Sequence, residues 1–173
     1  MGRHLSLVAV LLILGCVHTY EMKSGGADAP SVKVSREASF YVGLPEDGRF
    51  GTQEYFGSGR MTTQAIVAAL SAHVRTVRPA NSVASVEENL KAARDVSASY
   101  VVHPTILHWE ERATEWSGKS DRVSVRLQLI AASSGEILDS TVISGKSRWA
   151  TFGGDHPQEL LPEPLSRYAT ALF

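Results

Sequence analysis

Apolar and polar positions divide the chain into three parts. Leu5 to Leu14 is apolar apart from Ser6, the stretch from Val17 to about Pro30 is polar, and from Ser39 onward apolar residues recur with the periods of strands and helices. Residues 39–44 are rich in strand formers and stop at Pro45 and Asp47-Gly48, a turn signal; an edge piece could precede them at Val32 to Val34. A loop carrying Gly48, Gly51, Gly57 and Gly59 follows. Ile66, Ala69, Leu70, His73 and Val74 then repeat at helical spacing, which predicts a helix over 62–73. A brief strand over 74–78 ends at Pro79. Ser85-Val86-Glu87-Glu88 has the spacing of a capping box and opens a second helix with Val86, Leu90, Ala93 and Val96 on one face.

Residues 100–110 read as a strand in which Pro104 implies an edge or a bulge. Over 122–130 Val123, Val125, Leu127 and Leu129 alternate with Ser124, Arg126 and Gln128, the clearest strand pattern in the chain. Ser133-Ser134-Gly135-Glu136 turns the chain into an antiparallel partner over 137–148. Asp155 is placed to cap a turn beginning at Pro157, and a carboxy-terminal helical segment from Leu160 to Leu172 is broken in two by Pro162 and Pro164. The pattern predicts one α/β (α+β) domain over 39–173: a mixed sheet of about five strands, in the order β-α-β-α-β-β-β-α, with helices packed on it.

The amino end has a different character. Arg3 followed by a ten-residue apolar run spans roughly 15 Å as a helix, too short for a bilayer core of about 30 Å and right for a signal peptide over 1–15. Directly after it stands Ile13-Leu14-Gly15-Cys16, which resembles the lipobox of bacterial lipoproteins. That resemblance implies cleavage between Gly15 and Cys16 and a diacylglyceryl thioether on Cys16. Leu14 is bulkier than the Ala or Ser usual at its position. Val17, in place of the Asp that typically retains lipoproteins at the inner membrane, implies the periplasmic face of the outer membrane. Residues 16–38 are then the lipidated cysteine and a flexible tether. Cys16 is the only cysteine, so the fold must be stabilised by burial without a disulfide.

With 17 basic and 18 acidic residues the net charge is -1, and no basic run suggests a nucleic-acid partner. Beyond the lipobox, Tyr41 to Leu44, Gly57-Ser58-Gly59 through Thr62-Thr63-Gln64, Tyr100-Val101-Val102 and Ser134-Gly135-Glu136-Ile137-Leu138 resemble small Gram-negative envelope lipoproteins of a domain-of-unknown-function family. The element order is similar to the amino-terminal domain of TolB and to the domains of the curli-secretion lipoprotein and of the lipoprotein activators of penicillin-binding proteins. Those relatives act by binding proteins. The resemblance implies a non-catalytic interaction or scaffold module in the envelope.

Candidate chemistry is sparse. Gly57, Ser58, Gly59 and Arg60 precede a helix, where free amides favour an anion; a glycine turn capped by Ser58 or Thr62 is the structural alternative. His103 and His108, five apart, point to opposite faces of a regular strand and cannot share a metal ion, although a bulge at Pro104 would change that parity. Glu110, Glu111 and Glu115 near His108 offer an acid and a base, or simply a solvated hairpin end with Arg112 and Lys119. Asp155-His156 reads as a cap. Trp116, Tyr55 and Phe56, outside any core periodicity, are candidates for protein contact or for packing over the sheet end. No metal or cofactor motif occurs. Small-anion binding and a hydrolase built on His103, His108 or Glu110 are the alternative functions.

Overall fold

A computed structural model describes residues 18–111, 120–147 and 156–173; Gly15, Cys16, Glu115, Trp116, Trp149 and Asp155 lie outside the described residues. Six strands form one mixed sheet: β1 (Thr19–Ser24), β2 (Ser39–Leu44), β5 (Thr76–Val83), β6 (Tyr100–Glu110), β7 (Arg122–Ala131) and β8 (Ile137–Lys146), in the spatial order β1-β8-β7-β6-β2-β5. Two short strands, β3 (Arg49–Phe50) and β4 (Gln53–Glu54), make a separate hairpin. The helices are α1 (Ser58–Ser71), α2 (Val86–Asp95) and α3 (Pro162–Leu172), with a 3-10 turn at Pro157–Leu160.

The connections explain the layering. β2 has a parallel neighbour on each side, β5 and β6, so the chain steps outward through α1 and then returns across β2 through α2. Right-handed crossovers in opposite directions put their helices on opposite faces. Packing agrees. Ile66 and Leu70 of α1 and Leu165, Tyr168 and Leu172 of α3 bury one face with Phe40, Val42, Val102, Leu127 and Ile143, forming the main core. On the other face α2 covers only a small cluster built from Ala93, Val101 and Ile130. β6, β7 and β8 form the expected antiparallel meander, with Val123, Val125, Leu127 and Leu129 all buried.

Four expectations need correction. The sheet has six strands where about five were expected, because β1 lies inside the stretch read as a tether over 16–38. Tyr20 and Met22 turn toward the main core at alternate positions, and the Ser24 hydroxyl bonds the buried Asp139 carboxylate, which also accepts from Thr141 Oγ1 at 2.7 Å. A half-exposed edge strand needs apolar residues on one side only, so its composition looks like that of a linker. Helix α1 begins at Ser58, ahead of Thr62, because its amino end is capped from outside the helix, as shown below. β5 runs through Pro79, which an edge strand tolerates since only one of its sides is paired. The carboxy-terminal break falls at Leu161; Pro164 sits in the first turn of α3, where no amide proton is needed. The capping box formed as expected: Ser85 Oγ accepts from the Glu88 amide, and Glu88 Oε2 accepts from the Ser85 amide at 2.8 Å.

The 3-10 turn closes tightly over β8. A Cβ on Gly145 would stand 2.8 Å from Leu160 Cβ and 3.1 Å from its carbonyl oxygen. Gly145→Ala is therefore expected to lower the unfolding free energy by about 1–3 kcal/mol, measured by urea titration of the purified protein.

Candidate binding crevice

β2 pairs with β6 only through Val102, while β6 continues to Glu110. Beyond that point the sheet parts. A crevice of about 740 Å³ opens there, bounded by the end of β2 and its following loop, by Val83 to Ser85 with Glu88, and by His103 to Leu107 of β6. It lies where the strand order reverses, beyond the carboxyl ends of β2 and β5, the position at which open α/β sheets generally receive ligands.

One wall is fixed by Asp47. Its Oδ2 accepts from the Gly57 amide at 2.9 Å and its Oδ1 from the Gly59 amide at 2.8 Å, while Ser58 Oγ accepts from the Gly48 amide at 2.8 Å. The amides at the start of α1 do hold an anion, and it is the chain's own carboxylate. The expectation of an external anion at Gly57, Ser58, Gly59 and Arg60 is thereby corrected, because a carboxylate already satisfies the donors such a ligand would use. Glycine is required twice here. Gly57 has φ 88°, and a Cβ on Gly59 would lie 2.3 Å from the Pro45 carbonyl oxygen.

Two of the lining residues, Ala84 and His103, are held from behind by Asn89, a buried polar residue on α2. Its Nδ2 donates to the Ala84 carbonyl at 3.2 Å and to His103 Nδ1 at 3.1 Å. Both amide protons are thus used. His103 Nδ1 must be the acceptor, and Nε2 carries the proton of the neutral ring. Burial lowers the His103 pKa, with the Glu87 carboxylate opposing weakly. Asn89 reaches this position because β2 carries Gly43 opposite it, where a Cβ would stand 3.1 Å from Nδ2. Glu88 also lines the crevice, and the Ser85 amide and hydroxyl hold its pKa below the usual carboxylate range. Arg49 is paired with Glu54 at 3.0 Å. The crevice thus sets Asp47, Glu88 and Arg49, each engaged within the protein, beside exposed apolar edges at Val83 and Leu107.

The two histidines behave differently from the expectation. A bulge at Leu107, not at Pro104, shifts the register between Ile106 and His108, so His103 opposite Gln128, His108 opposite Ser124 and Glu110 opposite Arg122 all share one face. The partners Gln128 and Ser124 are four residues apart, about 13 Å along a strand, too far for a shared metal ion or a bridging hydrogen bond. His108 Nε2 instead pairs with Glu110 Oε2 at 3.2 Å, and Phe50 packs edge-on against the His108 ring. His156 pairs with Glu111 and makes no side-chain cap. Among the described residues no three His, Cys, Asp or Glu side chains converge as a metal site.

Of the aromatic candidates, Tyr55 is packed against the main core and its hydroxyl accepts from the Glu111 amide at 3.3 Å. It acts as a strut. Phe56 is 81% exposed. Sequence reasoning missed Asp47 and Asn89. Asp47 was legible only as a turn residue, whereas Asn89 left a signal: a polar residue three after Val86 and four before Ala93, inside the apolar stripe of a helix.

Residues 32–172 match a family described as a domain of unknown function, DUF4823. The chain belongs to that family. No curated protein matches it. Among solved structures, the PelC dodecamer from Paraburkholderia phytofirmans is 18% identical, with a TM-score of 0.62 over 88% of this chain and 99% of that one. A singly substituted variant of the same dodecamer, in a second crystal form, is 15% identical, with a TM-score of 0.66 over 90% and 98%. The lipoprotein GNA1162 from Neisseria meningitidis aligns at 16% identity over 64% of this chain and 83% of its own, with a TM-score of 0.48. PelC and the DUF4823 chain share a fold.

Two outcomes follow from the crevice. Asp47→Ala leaves the Gly57 and Gly59 amides without their acceptor and is expected to lower stability by about 1–2 kcal/mol in urea unfolding. Because the folded pKa of His103 lies below its unfolded value, the unfolded chain binds the extra proton as pH falls through and below about 6.5. The stability associated with the neutral ring is present above that pH and is lost on acidification. Unfolding midpoints should therefore drop less between pH 7 and pH 5 in His103→Gln than in the wild type; equal drops would refute it.

Proposed function

We propose that the protein is a non-catalytic binding module of the bacterial envelope, attached to the periplasmic face of the outer membrane through lipid on Cys16. The lipobox and Val17 support the anchor and its membrane. The crevice supports the binding role. In this reading it accepts an extended segment of a partner protein, which adds beside β6 as a further strand.

The observation that carries this is the one-sided pairing of β6. From His103 onward no described strand pairs with the side of β6 that faces the crevice, while Val83 and Leu107 leave apolar surface on either side of it. An extended peptide satisfies backbone groups along such an edge and places alternate side chains on flanking apolar surface. Of the three carboxylates lining it, Asp47 and Glu88 are tied to backbone amides and serve shape, while Glu46 stands exposed at the mouth. A second reading is that the partner is another copy of this chain, favoured by the dodecameric state of PelC, which shares the fold.

A photo-crosslinking residue in place of Leu107 is expected to form a discrete adduct in intact cells, and the same probe at Ser133, on the far turn, should form none. Val83→Asp should abolish the Leu107 adduct. An adduct of twice the chain mass would identify a second copy as the partner. Absence of any adduct at Leu107, or equal labelling at Ser133, would reject the crevice as the binding surface.

A further inference from the structure

β1, at the edge of the sheet away from β2 and β5, brings the amino end of the domain to the end of the sheet where β6 finishes. β1 starts at Thr19, three residues after Cys16, and three residues span at most about 11 Å. Thr19 stands opposite Lys146, Lys146 opposite Arg122, and Arg122 opposite Glu110, so these four residues form one row across the end of the sheet. A lipid on Cys16 would hold this rim within about 11 Å of the headgroups, not roughly 20 Å away on a free tether.

The rim suits that position. Arg122 and Lys146 are like charges directly opposite one another on neighbouring strands, an arrangement that weakens a sheet unless a counter-charge comes from outside. Both are exposed, and neither is held in an ion pair with another described residue. Glu110, in the same row, is buried and pairs with His108. The two cations border a shallow groove of about 340 Å³ whose base includes the Ser124 and Ser144 hydroxyls, 3.0 Å apart; Glu21 is the single acidic side chain among its lining residues. Phe56, the most exposed large apolar residue described, stands at the same end, since its neighbour Tyr55 bonds the amide of Glu111, next to Glu110. Two exposed cations with an exposed aromatic ring at the same end of the sheet are the components of an interfacial contact with anionic lipid.

We infer that the Arg122–Lys146 rim, with Phe56, docks on the phosphate headgroups of the bilayer that carries the anchor, setting the sheet upright with the far turn pointing away from the membrane. This rests on the proposed acylation of Cys16. It assigns Phe56 to lipid and not to a protein partner.

The test uses the processed full-length protein in phosphatidylethanolamine and phosphatidylglycerol vesicles containing a headgroup nitroxide lipid. Acylated Cys16 has no free thiol, so Ser124→Cys and Ser133→Cys each offer one site for a fluorescent label. Ser133 lies beyond the other end of β7, roughly 30 Å from the rim. The label at Ser124 should be quenched several-fold more than that at Ser133, and the difference should collapse in R122E/K146E and shrink in Phe56→Ser. Mass spectrometry of the same sample reports the acyl chains. Acylated protein with equal quenching at the two sites would overturn the docking while leaving the anchor standing. Unacylated Cys16 would overturn both. Undiminished quenching in R122E/K146E would overturn the role given to the two cations.

Discussion

The contact on which the functional surface depends is the Asp47 carboxylate bound to the Gly57 and Gly59 amides. It joins the loop after β2 to the first turn of α1, fixing the path of a fourteen-residue helix relative to the strand that feeds it. The same contact shapes one wall of the crevice and uses the amides that would otherwise attract an anion. A negative charge at a helix amino end is favourable whether it comes from a ligand or from the chain, and a tethered carboxylate has far less entropy to lose than a free ion. The loop therefore acts as a closed structural device, and the open chemistry of the molecule lies beside it, along β6.

Sheet topology makes that opening. Because β2 is flanked by parallel strands reached in opposite directions, its carboxyl end is left between two diverging connections, and the longer β6 projects past it. The end of the sheet towards which β6 runs holds the row from Thr19 to Glu110, and the crevice opens towards that same end between β6 and the shorter β2 and β5. In the proposed reading, attachment uses the β1, β8 and β7 part of that end, and binding uses the gap between β6 and the shorter β2.

The sequence carried the main features of the fold wherever burial imposed a period. The alternation of Val123 to Leu129, the capping box at Ser85 and the stripe from Ile66 to Leu70 each correspond to an element found in the structure. It failed where one-sided exposure erased the period, as in β1, whose inward residues are only Tyr20, Met22 and Ser24. It also failed where parity depends on a single bulged residue: Leu107 places His103 and His108 on one face, and no local pattern marks it. The site was less legible than the fold, because Asp47 and His103 acquire their roles from Gly59 and Asn89, which the chain brings to them only on folding.

Amide hydrogen exchange at Gly57 and Gly59 tests the central contact most directly. With Asp47 as their acceptor, both amides should exchange slowly in the wild type, respond little to added phosphate, and lose protection together in Asp47→Ala. Fast exchange at both in the wild type, or slowing on addition of phosphate, would show that these donors face solvent and that the account of the crevice wall is wrong.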